Sequence, residues 1–237
     1  MRSPSPTWGV FAPIYALHSK RNPNAGDLTD FEQLMDWMGK LGGTVAATLP
    51  LLGAFLNKPF ESSPYSPATR LFWNEFYLDV TSIPELKECA AARALIDSSE
   101  FQRELIAVKN EALIDYRKSM ALKRQVMEKL LDCLRSKDSR RRRSFKNYAA
   151  NHPRTRDYAA FRAEVERYRT VWFRWPAVAR DGTLNPGDYD EKNYLYHLYV
   201  QWQCDQQNSW LRDSAKKRGV RLYLDFPLGV NRDGYDV

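Results

Sequence analysis

Two apolar runs enclose one amphipathic segment in residues 9–52, GVFAPIYALHSKRNPNAGDLTDFEQLMDWMGKLGGTVAATLPLL. The runs at 9–17 and 44–52 have the length and apolar content of buried strands. Between them, apolar side chains recur at helical spacing: Phe31, Leu34, Met35, Met38 and Leu41. A strand, a helix and a strand of this combined length form a βαβ unit, whose crossover makes the strands parallel. This stretch therefore predicts an α/β fold.

Polar residues and glycines mark the ends of the predicted helix. Asp27 or Thr29 can supply the side-chain oxygen that caps its first turn. Gly42 and Gly43 follow its last apolar residue, and glycine at this position permits the left-handed conformation that ends many helices. The helix is therefore predicted to lie between these two pairs of residues.

The middle of the chain changes from loop to helix. Residues 51–79 contain Pro59, Pro64 and Pro67, and so long a loop inside a compact domain is usually functional. Apolar residues recur at helical spacing in residues 84–150 and form two stripes. One stripe consists of Phe101, Leu105, Val108 and Ala112, and a second of Leu130, Leu131 and Leu134. We interpret both stripes as helix-packing faces.

Two more helices and one more strand follow. Residues 158–175 are predicted to form a helix that Pro176 closes, and residues 194–217 a long helix that Gly219 ends. Residues 220–229 then alternate as a third buried strand. The sequence thus predicts three strands of the βα type, with a large, mainly helical insertion between the second and the third.

Composition argues against several classes of protein. The chain has 237 residues, of which 43% are hydrophobic and 27% charged, as in a globular protein. Its net charge of +7 can come largely from the run Arg140–Arg143 and its neighbours, which we interpret as a solvated helix end. No Gly-rich phosphate loop or zinc-finger spacing accompanies the run, so nucleic-acid binding is not expected as the main function.

Cysteines and hydropathy favour a cytoplasmic protein. Cys89, Cys133 and Cys204 are odd in number and far apart, so neither a disulfide framework nor a metal site is predicted. Residues 1–7 contain no apolar signal-peptide core, and no run of about 18 apolar residues occurs. We expect no membrane segment, no metal and no cofactor.

Polar and proline-rich loops follow the three predicted strands. They contain His18, Arg21, Asn22, Gly26 and Asp27 after the first strand, Ser63, Pro64, Tyr65, Ser66 and Pro67 after the second, and Asp225, Asn231, Asp233 and Asp236 after the third. In a (β/α)8 barrel the loops after the strands gather at one face and carry the active site. These residues are therefore candidates for binding or catalysis.

Three segments resemble one family of enzymes. Residues 11–31, FAPIYALHSKRNPNAGDLTDF, are similar to the first strand and G-D-L turn of amylomaltases, glycoside hydrolase family 77. Residues 61–80, ESSPYSPATRLFWNEFYLDV, resemble that family's S-P-Y motif, followed by an Asn and a closing L-D. Residues 222–237, LYLDFPLGVNRDGYDV, are similar to its D-x-P-x-x-V-x-x-D stretch. The three matches lie in the family's order.

The resemblance implies a 4-alpha-glucanotransferase. Such an enzyme cuts an α-1,4 bond in a malto-oligosaccharide or α-glucan and passes the glucan segment to another sugar with retained configuration. Retention requires two carboxylates about 5 Å apart, one as nucleophile and one as acid/base. The family's nucleophilic Asp belongs to an R-x-D-H motif, which this sequence does not contain. No catalytic residue is therefore assigned within this chain, which is expected to be inactive by itself.

The resemblance also implies a fold. The chain is expected to form the N-terminal part of a (β/α)8 barrel, with about three βα units and the family's helical insertion. Residues 1–83 would carry the first units and the substrate loop. Residues 84–190 would form the insertion, and residues 191–237 the last helix and the third barrel strand.

Residue by residue, the resemblance implies substrate-binding roles in the loop after the second strand. Tyr65 is expected to stack on a donor sugar or to hydrogen-bond to it. Ser63 and Pro64 would shape the loop that presents Tyr65, and Asn74 matches a family position near the same loop.

The loops after the other two strands receive roles in the same way. Asp225 and Asp233 are expected to be carboxylates that line the site, and Asp27 to cap the helix after the first strand. The sequence departs from the family's usual pattern at Pro23 and Asn24, where aromatic and small residues are more common. Sugar contacts are not assigned to that turn.

Other interpretations stay open at this point. Asp225 can cap its loop, Tyr65 can pack against the insertion, and His18 can make a structural hydrogen bond as easily as a sugar contact. The chain can also be a non-catalytic carbohydrate-binding or regulatory protein of the same fold, or a basic scaffold that contacts an acidic partner through Arg140–Arg143. Three barrel strands leave open sheet edges, so a poorly stable or oligomeric chain is expected.

Overall fold

A parallel sheet of three strands organises the structure. The computed structural model describes residues 7–22, 25–182 and 184–237. The strands are β1 (Gly9–Phe11), β2 (Val45–Thr48) and, after the helices, β5 (Arg221–Leu224), in the order β1-β2-β5. Both pairs are parallel, and Val10, Ala46 and Leu222 lie side by side. The parallel βαβ arrangement predicted from the first stretch is confirmed.

The strands are shorter than the apolar runs that predicted them. β1 ends at Phe11, and Ile14–Ala16 form a 3-10 helix instead of continuing the strand. Pro13 lies between the two and has no N–H to donate to a neighbouring strand. β2 likewise ends at Thr48, shortly before Pro50.

Helix α1 (Leu28–Lys40) connects β1 to β2. The carboxylate of Asp27 accepts hydrogen bonds from the N–H groups of Thr29 and Asp30, and the carboxylate of Asp30 accepts one from the N–H of Asp27. This reciprocal pair is a capping box, so Asp27 rather than Thr29 is the cap. After the helix, Gly42 has a φ of 86°, which glycine adopts without steric cost.

A short hairpin and seven helices lie between β2 and β5 in the part of the chain that the structure describes. The hairpin pairs β3 (Phe55–Leu56) with β4 (Phe60–Glu61) inside the predicted loop. The helices are α2 (Ala90–Asp97), α3 (Ser99–Lys109), α4 (Tyr116–Ser136), α5 (Arg140–Asn151), α6 (Pro153–Tyr168), α7 (Ala177–Arg180) and α8 (Glu191–Lys217). Single 3-10 turns occupy Glu75–Tyr77, Val80–Ser82, Pro84–Lys87 and Trp172–Arg174. The helical character predicted for residues 84–150 is confirmed.

The two predicted apolar stripes differ in burial. The stripe of α4 is completely inside, since Leu130, Leu131 and Leu134 are buried. The stripe of α3 is only partly inside: Phe101 and Val108 are buried, but Leu105 is 37% exposed and Ala112 lies beyond the end of the helix. α3 packs at the periphery, against α2 and α4, so it has a narrower contact face than predicted.

The helix predicted for residues 158–175 has different ends. α6 begins at Pro153, because proline fits the first helical position, where no intrahelical N–H bond is required. It ends at Tyr168, and Arg169 takes the left-handed conformation with a φ of 50°. Residues 172–174 then form a separate 3-10 turn before Pro176.

One buried cluster joins the parts of the chain. It extends from Ile14, after β1, through α4 to Val220, before β5, and α8 lies in it next to α6 and α1. The cluster contains residues from each of the predicted segments 1–83, 84–190 and 191–237, so the three segments share one core. The boundaries between the segments stay a prediction.

Helices α1 and α8 cover one face of the sheet. Val10, Ala46 and Leu222 lie on this face and pack into the buried cluster. On the opposite face, Phe11 is 56% and Tyr223 is 61% exposed. The prediction of a buried strand is therefore wrong for β5, in which only Leu222 is half-buried and the other three residues are exposed. It is also wrong for β1, in which Gly9 and Phe11 are exposed.

Candidate functional site

The carboxyl ends of β2 and β5 bring two predicted site residues together. Asp225 directly follows β5, and its N–H donates to the carbonyl of Thr48 at 3.0 Å, which extends the pairing with β2. Tyr65 lies in the loop after β2, and its hydroxyl donates to Oδ2 of Asp225 at 2.7 Å. The two side chains are thus in direct contact.

Both side chains of this pair are accessible to a ligand. Tyr65 is 53% exposed, and Asp225 is half-buried. Oδ1 of Asp225 accepts a hydrogen bond from the N–H of Phe226 at 2.8 Å. The hydrogen bond to Asp225 raises the pKa of Tyr65 above its ordinary value. Because a carboxylate has about four acceptor positions, Asp225 can accept a ligand hydroxyl while it holds Tyr65.

Ser63 and Pro64 determine the backbone of the loop that carries Tyr65. The N–H of Ser63 donates to Oε1 of Glu61 at 2.8 Å, and the hydroxyl of Ser63 accepts from the N–H of Tyr65 at 3.3 Å. The carbonyl of Ser63 accepts from the N–H of Ser66 at 3.1 Å. These bonds close a turn around Pro64, so Ser63 holds the backbone of Tyr65 in position.

The segment after β5 is bonded to the same loop. The N–H of Asn231 donates to the carbonyl of Pro67 at 2.8 Å, and the N–H of Tyr235 donates to the carbonyl of Ala68 at 2.7 Å. A Cβ atom on Gly234 would lie 2.4 Å from that carbonyl oxygen, so only glycine permits this approach. The loop after β2 and the segment after β5 therefore form one surface.

Asp233 and Asp236 have different surroundings in this segment. The N–H of Asp233 donates to Oδ1 of Asn231 at 2.8 Å, and its carboxylate is half-buried. Asp236 accepts from the hydroxyl of Thr69 at 2.6 Å and from the N–H of Arg70 at 2.7 Å. The sequence analysis named Asp236 as a candidate but gave it no specific role, because it lies beyond the D-x-P-x-x-V-x-x-D match that contains Asp225 and Asp233.

Asn74 makes two hydrogen bonds that stabilise the local backbone. Its Oδ1 accepts a hydrogen bond from the N–H of Phe76 at 3.0 Å and caps the 3-10 turn Glu75–Tyr77. Its own N–H donates to the carbonyl of Leu51 at 2.9 Å. A substrate contact of Asn74 stays a prediction.

The loop after β1 contains a cluster of charges that the sequence analysis missed. The guanidinium of Arg21 donates to both oxygens of Asp27, at 2.9 and 2.6 Å. It also lies 2.9 Å from Asp30 and 3.2 Å from Asp79. The hydroxyl of Thr29 donates to Oδ2 of Asp79 at 2.7 Å. The motif Gly-Asp-Leu is thus tied to the loop after β2 through Asp79.

A half-buried lysine, Lys123, completes this cluster. Nζ of Lys123 donates to the carbonyls of Phe76 and Leu78, at 2.5 and 3.0 Å. Burial lowers the pKa of Lys123 and raises that of Asp27, the latter against the hydrogen bond from Arg21. Burial would also raise the pKa of Asp79, but hydrogen bonds from its neighbours lower it below the ordinary value. The cluster holds the loop after β1 against the segment around Asp79. The contacts of Asp79 and Lys123 are visible only in the folded structure.

Two further predictions concern the loop after β1. His18 is exposed there, and its contact with a ligand stays a prediction. The departure from the family pattern at Pro23 and Asn24 lies outside the described residues.

The basic run Arg140–Arg143 begins helix α5 and is not entirely solvated. Arg141 turns inward: its Nε donates to Oε1 of Glu85 at 2.7 Å, and its guanidinium lies 4.2 Å from the centre of the Trp202 ring. Arg143 pairs with the exposed Asp138 at 3.1 Å. The interpretation as a solvated helix end is therefore wrong for Arg141, which packs against α8.

Two classes of feature are absent from the described residues. They contain no group of three or more His, Cys, Asp or Glu side chains that could hold a metal ion. They also contain no helix with the length and hydropathy to cross a membrane. Cys89, Cys133 and Cys204 are free thiols.

Comparison with known proteins connects this geometry to a family. The family model of glycoside hydrolase family 77, described as 4-alpha-glucanotransferase, matches residues 12–237. The chain belongs to this family. All three motifs that carry the resemblance lie almost entirely within the matched residues.

Curated relatives of family 77 extend well beyond the match. The 4-alpha-glucanotransferase of Haemophilus influenzae is 27% identical over 97% of this chain and 36% of its own length. That of Mycobacterium tuberculosis is 30% identical over 97% of this chain and 33% of its own length. The chain therefore spans about a third of the length of these relatives.

Solved structures of amylomaltases share the fold. The amylomaltase from Corynebacterium glutamicum superposes with a TM-score of 0.77 at 24% identity, over 98% of this chain and 32% of that one. The amylomaltase from Streptococcus agalactiae, solved in complex with acarbose, also gives 0.77, at 19% identity over 96% of this chain and 44% of that one. The α/β fold of this chain is thus similar to the corresponding part of these amylomaltase structures.

Proposed function

We propose that this chain is the part of a 4-alpha-glucanotransferase that carries sugar-binding loops, and that it acts in the transfer of α-1,4-glucan segments between malto-oligosaccharides. The observation that carries the proposal is the contact of Tyr65 with Asp225 at the carboxyl ends of β2 and β5. Membership in family 77 supports it, and so does the acarbose bound to the Streptococcus agalactiae relative. A cytoplasmic location is part of the same proposal.

The proposed fold detail is the first three βα units of a (β/α)8 barrel with a helical insertion. Three adjacent parallel strands, with helices on one face, support this interpretation. In a barrel the loops after the strands form the active-site face, so the positions of Tyr65 and Asp225 after β2 and β5 support the proposal. The proposed division is 1–83 for the first units, 84–190 for the insertion and 191–237 for the last helix and strand.

Each proposed site residue has a physical role. The exposed ring of Tyr65 offers a flat apolar surface to one face of a sugar ring, and Asp225 accepts hydrogen bonds from sugar hydroxyls. Ser63 and Pro64 hold Tyr65 in place, and Asp233 contributes a second carboxylate at the edge of the site. Such contacts hold the donor in one orientation relative to reacting groups, which is how binding residues contribute to rate.

The covalent chemistry requires residues that this sequence does not supply. A retaining mechanism needs a nucleophilic carboxylate and an acid/base across the scissile bond. The family's R-x-D-H motif is absent from residues 1–237. The chain therefore binds and orients sugar, and does not transfer it by itself.

A transfer assay tests this proposal. Glucose release from maltotriose is measured for this chain and for a chimera in which it replaces the matching third of the Mycobacterium tuberculosis relative. We expect activity in the chimera alone, and expect Asp225→Asn to reduce it more than Asp181→Asn, an exposed carboxylate of the insertion. A folded chimera that binds maltotriose but transfers nothing would favour a non-catalytic carbohydrate-binding role.

A further inference from the structure

Two cysteines lie in contact with each other, one at the start of α2 and one near the end of α4. Cys89 directly precedes α2, but its thiol does not cap that helix. The thiol donates instead to the carbonyl of Lys129 in α4, at 3.4 Å. The thiol of Cys133, one turn further along α4, hydrogen-bonds to Cys89. The fold therefore pairs two thiols that are far apart in the sequence.

The backbone around each cysteine explains this contact. Side chains of an α-helix lean towards the preceding turn, so Cys133 leans towards the carbonyl of Lys129, which also accepts the thiol of Cys89. The N–H of Cys89 donates to the carbonyl of Glu85 at 3.0 Å, and its carbonyl accepts from the N–H of Arg93 at 3.1 Å. The two thiols are thus held side by side by the backbone of two packed elements.

An open cavity of ≈ 240 Å³ gives access to the pair. Its walls belong to the turn Pro84–Lys87, the end of α4 and the start of α5, and Cys133 is part of its lining. Cys133 is half-buried, whereas Cys89 is 1% exposed. A small oxidant therefore meets Cys133 first, and Cys89 is the partner that lies behind it.

The surroundings of Cys133 make it a slow nucleophile. Burial raises the pKa of Cys133 to about 11, and the contact with Cys89 adds to this effect. Thiol–disulfide exchange proceeds through the thiolate, so the pair reacts slowly at neutral pH and lacks the activated thiol of a redox catalyst. Slow reaction of two adjacent thiols suits a crosslink that persists once it has formed.

We propose that Cys89 and Cys133 form a reversible disulfide when the chain meets a small-molecule disulfide such as oxidised glutathione. The thiolate of Cys133 attacks one sulfur of the oxidant, whose S–S bond breaks, and one glutathione leaves and takes up the proton that Cys133 has lost. Cys89 then loses its proton and attacks the sulfur of Cys133, which releases the second glutathione. The two cysteines together lose two electrons and two protons, and glutathione disulfide is reduced to two thiols.

The disulfide joins the start of α2 to α4 and closes a loop that contains α2 and α3. The sulfur atoms of a disulfide are about 2.05 Å apart, so two side chains that already touch need only small rotations to form one. A crosslink restricts the unfolded chain and thereby stabilises the folded one. Oxidation is therefore expected to stabilise the peripheral helices of the insertion against unfolding.

Peptide mapping tests the crosslink directly. The folded 237-residue protein is incubated with oxidised glutathione at mildly alkaline pH, alkylated in urea and digested with trypsin. We expect a disulfide between the peptides 88–93 and 130–135, and expect the peptide 193–212, which contains Cys204, to carry the alkyl label. The oxidised protein should have a Tm about 5 °C higher, and dithiothreitol should reverse both changes.

Matched variants decide the result. Cys89→Ser and Cys133→Ser should each abolish the linked peptide and the gain in Tm, whereas Cys204→Ala, in α8, should keep both. If a variant does not fold, the peptide map of the wild type still decides. The proposal is overturned if Cys89 and Cys133 both remain alkylated, if each carries a separate glutathione, or if the crosslink involves Cys204. The readout is a covalent bond, so it is independent of the transfer assay for the proposed function.

Discussion

Tyr65 and Asp225 are 160 positions apart, yet one hydrogen bond of 2.7 Å joins them. Their types and their positions after predicted strands were visible in the sequence, and so was their match to the family motifs. Their contact was not, because it depends on the placement of β5 directly beside β2. Asp236 and Arg21 were harder to assign still. Asp236 bonds to Thr69 and Arg70, which are far away in the sequence, and Arg21 contacts the distant Asp79 in addition to its sequence neighbours Asp27 and Asp30.

The hydroxyl of Tyr65 can be tested without loss of its ring. Tyr65→Phe should weaken maltotriose binding roughly fivefold, because the ring loses the bond that fixes its orientation over the sugar. Tryptophan fluorescence titration of the folded chain measures the change. Tyr189→Phe, in the insertion, serves as the control, and equal affinities for the wild type and Tyr65→Phe would remove Tyr65 from the site.

At the scale of elements, helical spacing and capping residues predicted most of the helices. α1 was fully readable, since Asp27 and Gly42 mark its two ends. The ends of α6 were not, because Arg169 adopts a left-handed conformation for which its residue type gives no signal. The short strands were overestimated in length, since apolar runs continue into turns that pack in the core.

The cap of α1 also fixes the loop before it. Asp27→Ala should lower the free energy of unfolding by about 2 kcal/mol, since it removes a helix cap and the bidentate partner of Arg21. Urea unfolding followed by circular dichroism measures the loss. Asp36→Ala removes a half-buried carboxylate of the same helix that pairs with Lys40 and Arg218 near the surface. It should cost much less, because it caps no helix, and equal losses would contradict a special role for Asp27.

The interface of α6 with α8 makes stability depend on pH. Burial lowers the pKa of His197, whose Nε2 lies 2.8 Å from Oε1 of Glu166. Burial would raise the pKa of Glu166, but His197 and Arg124 lower it well below its ordinary value. The unfolded chain therefore binds protons that the folded chain does not. The contribution of the neutral His197 to stability is complete above pH 6.5 and is lost as the pH falls through its lowered pKa.

Unfolding experiments between pH 7.5 and pH 5 check this sign. We expect the free energy of unfolding to decrease towards pH 5, and expect His197→Gln to flatten the decrease because glutamine does not titrate. His152→Gln, which changes an exposed histidine between α5 and α6, should leave the slope as it is. Stability that rises towards pH 5 would contradict the assignment of a neutral buried His197.

At the scale of the whole molecule, the sheet has one covered and one open face. Phe11 and Tyr223 are exposed on the open face, and β1 and β5 are unpaired at their outer edges among the described strands. An α/β class and parallel order followed from the sequence alone, whereas the exposure of β5 did not, because an apolar run predicts burial regardless of what covers it. Exposed apolar faces and strand edges favour association between chains.

Self-association can be measured by sedimentation at several concentrations. We expect the chain to form oligomers, and expect Tyr223→Lys to reduce their fraction, because a charge on the open face opposes its burial. Trp37→Lys places the same charge on exposed α1 surface and should have little effect. A monomer at all concentrations, with a sharp melt at high temperature, would contradict this account of the open face.

The most direct test of the central claim is a crystal structure of the chain with maltotriose. The account predicts a glucose ring against Tyr65, with a sugar hydroxyl within hydrogen-bond distance of the Asp225 carboxylate. Maltotriose bound elsewhere, with the carboxyl ends of β2 and β5 left empty, would contradict it.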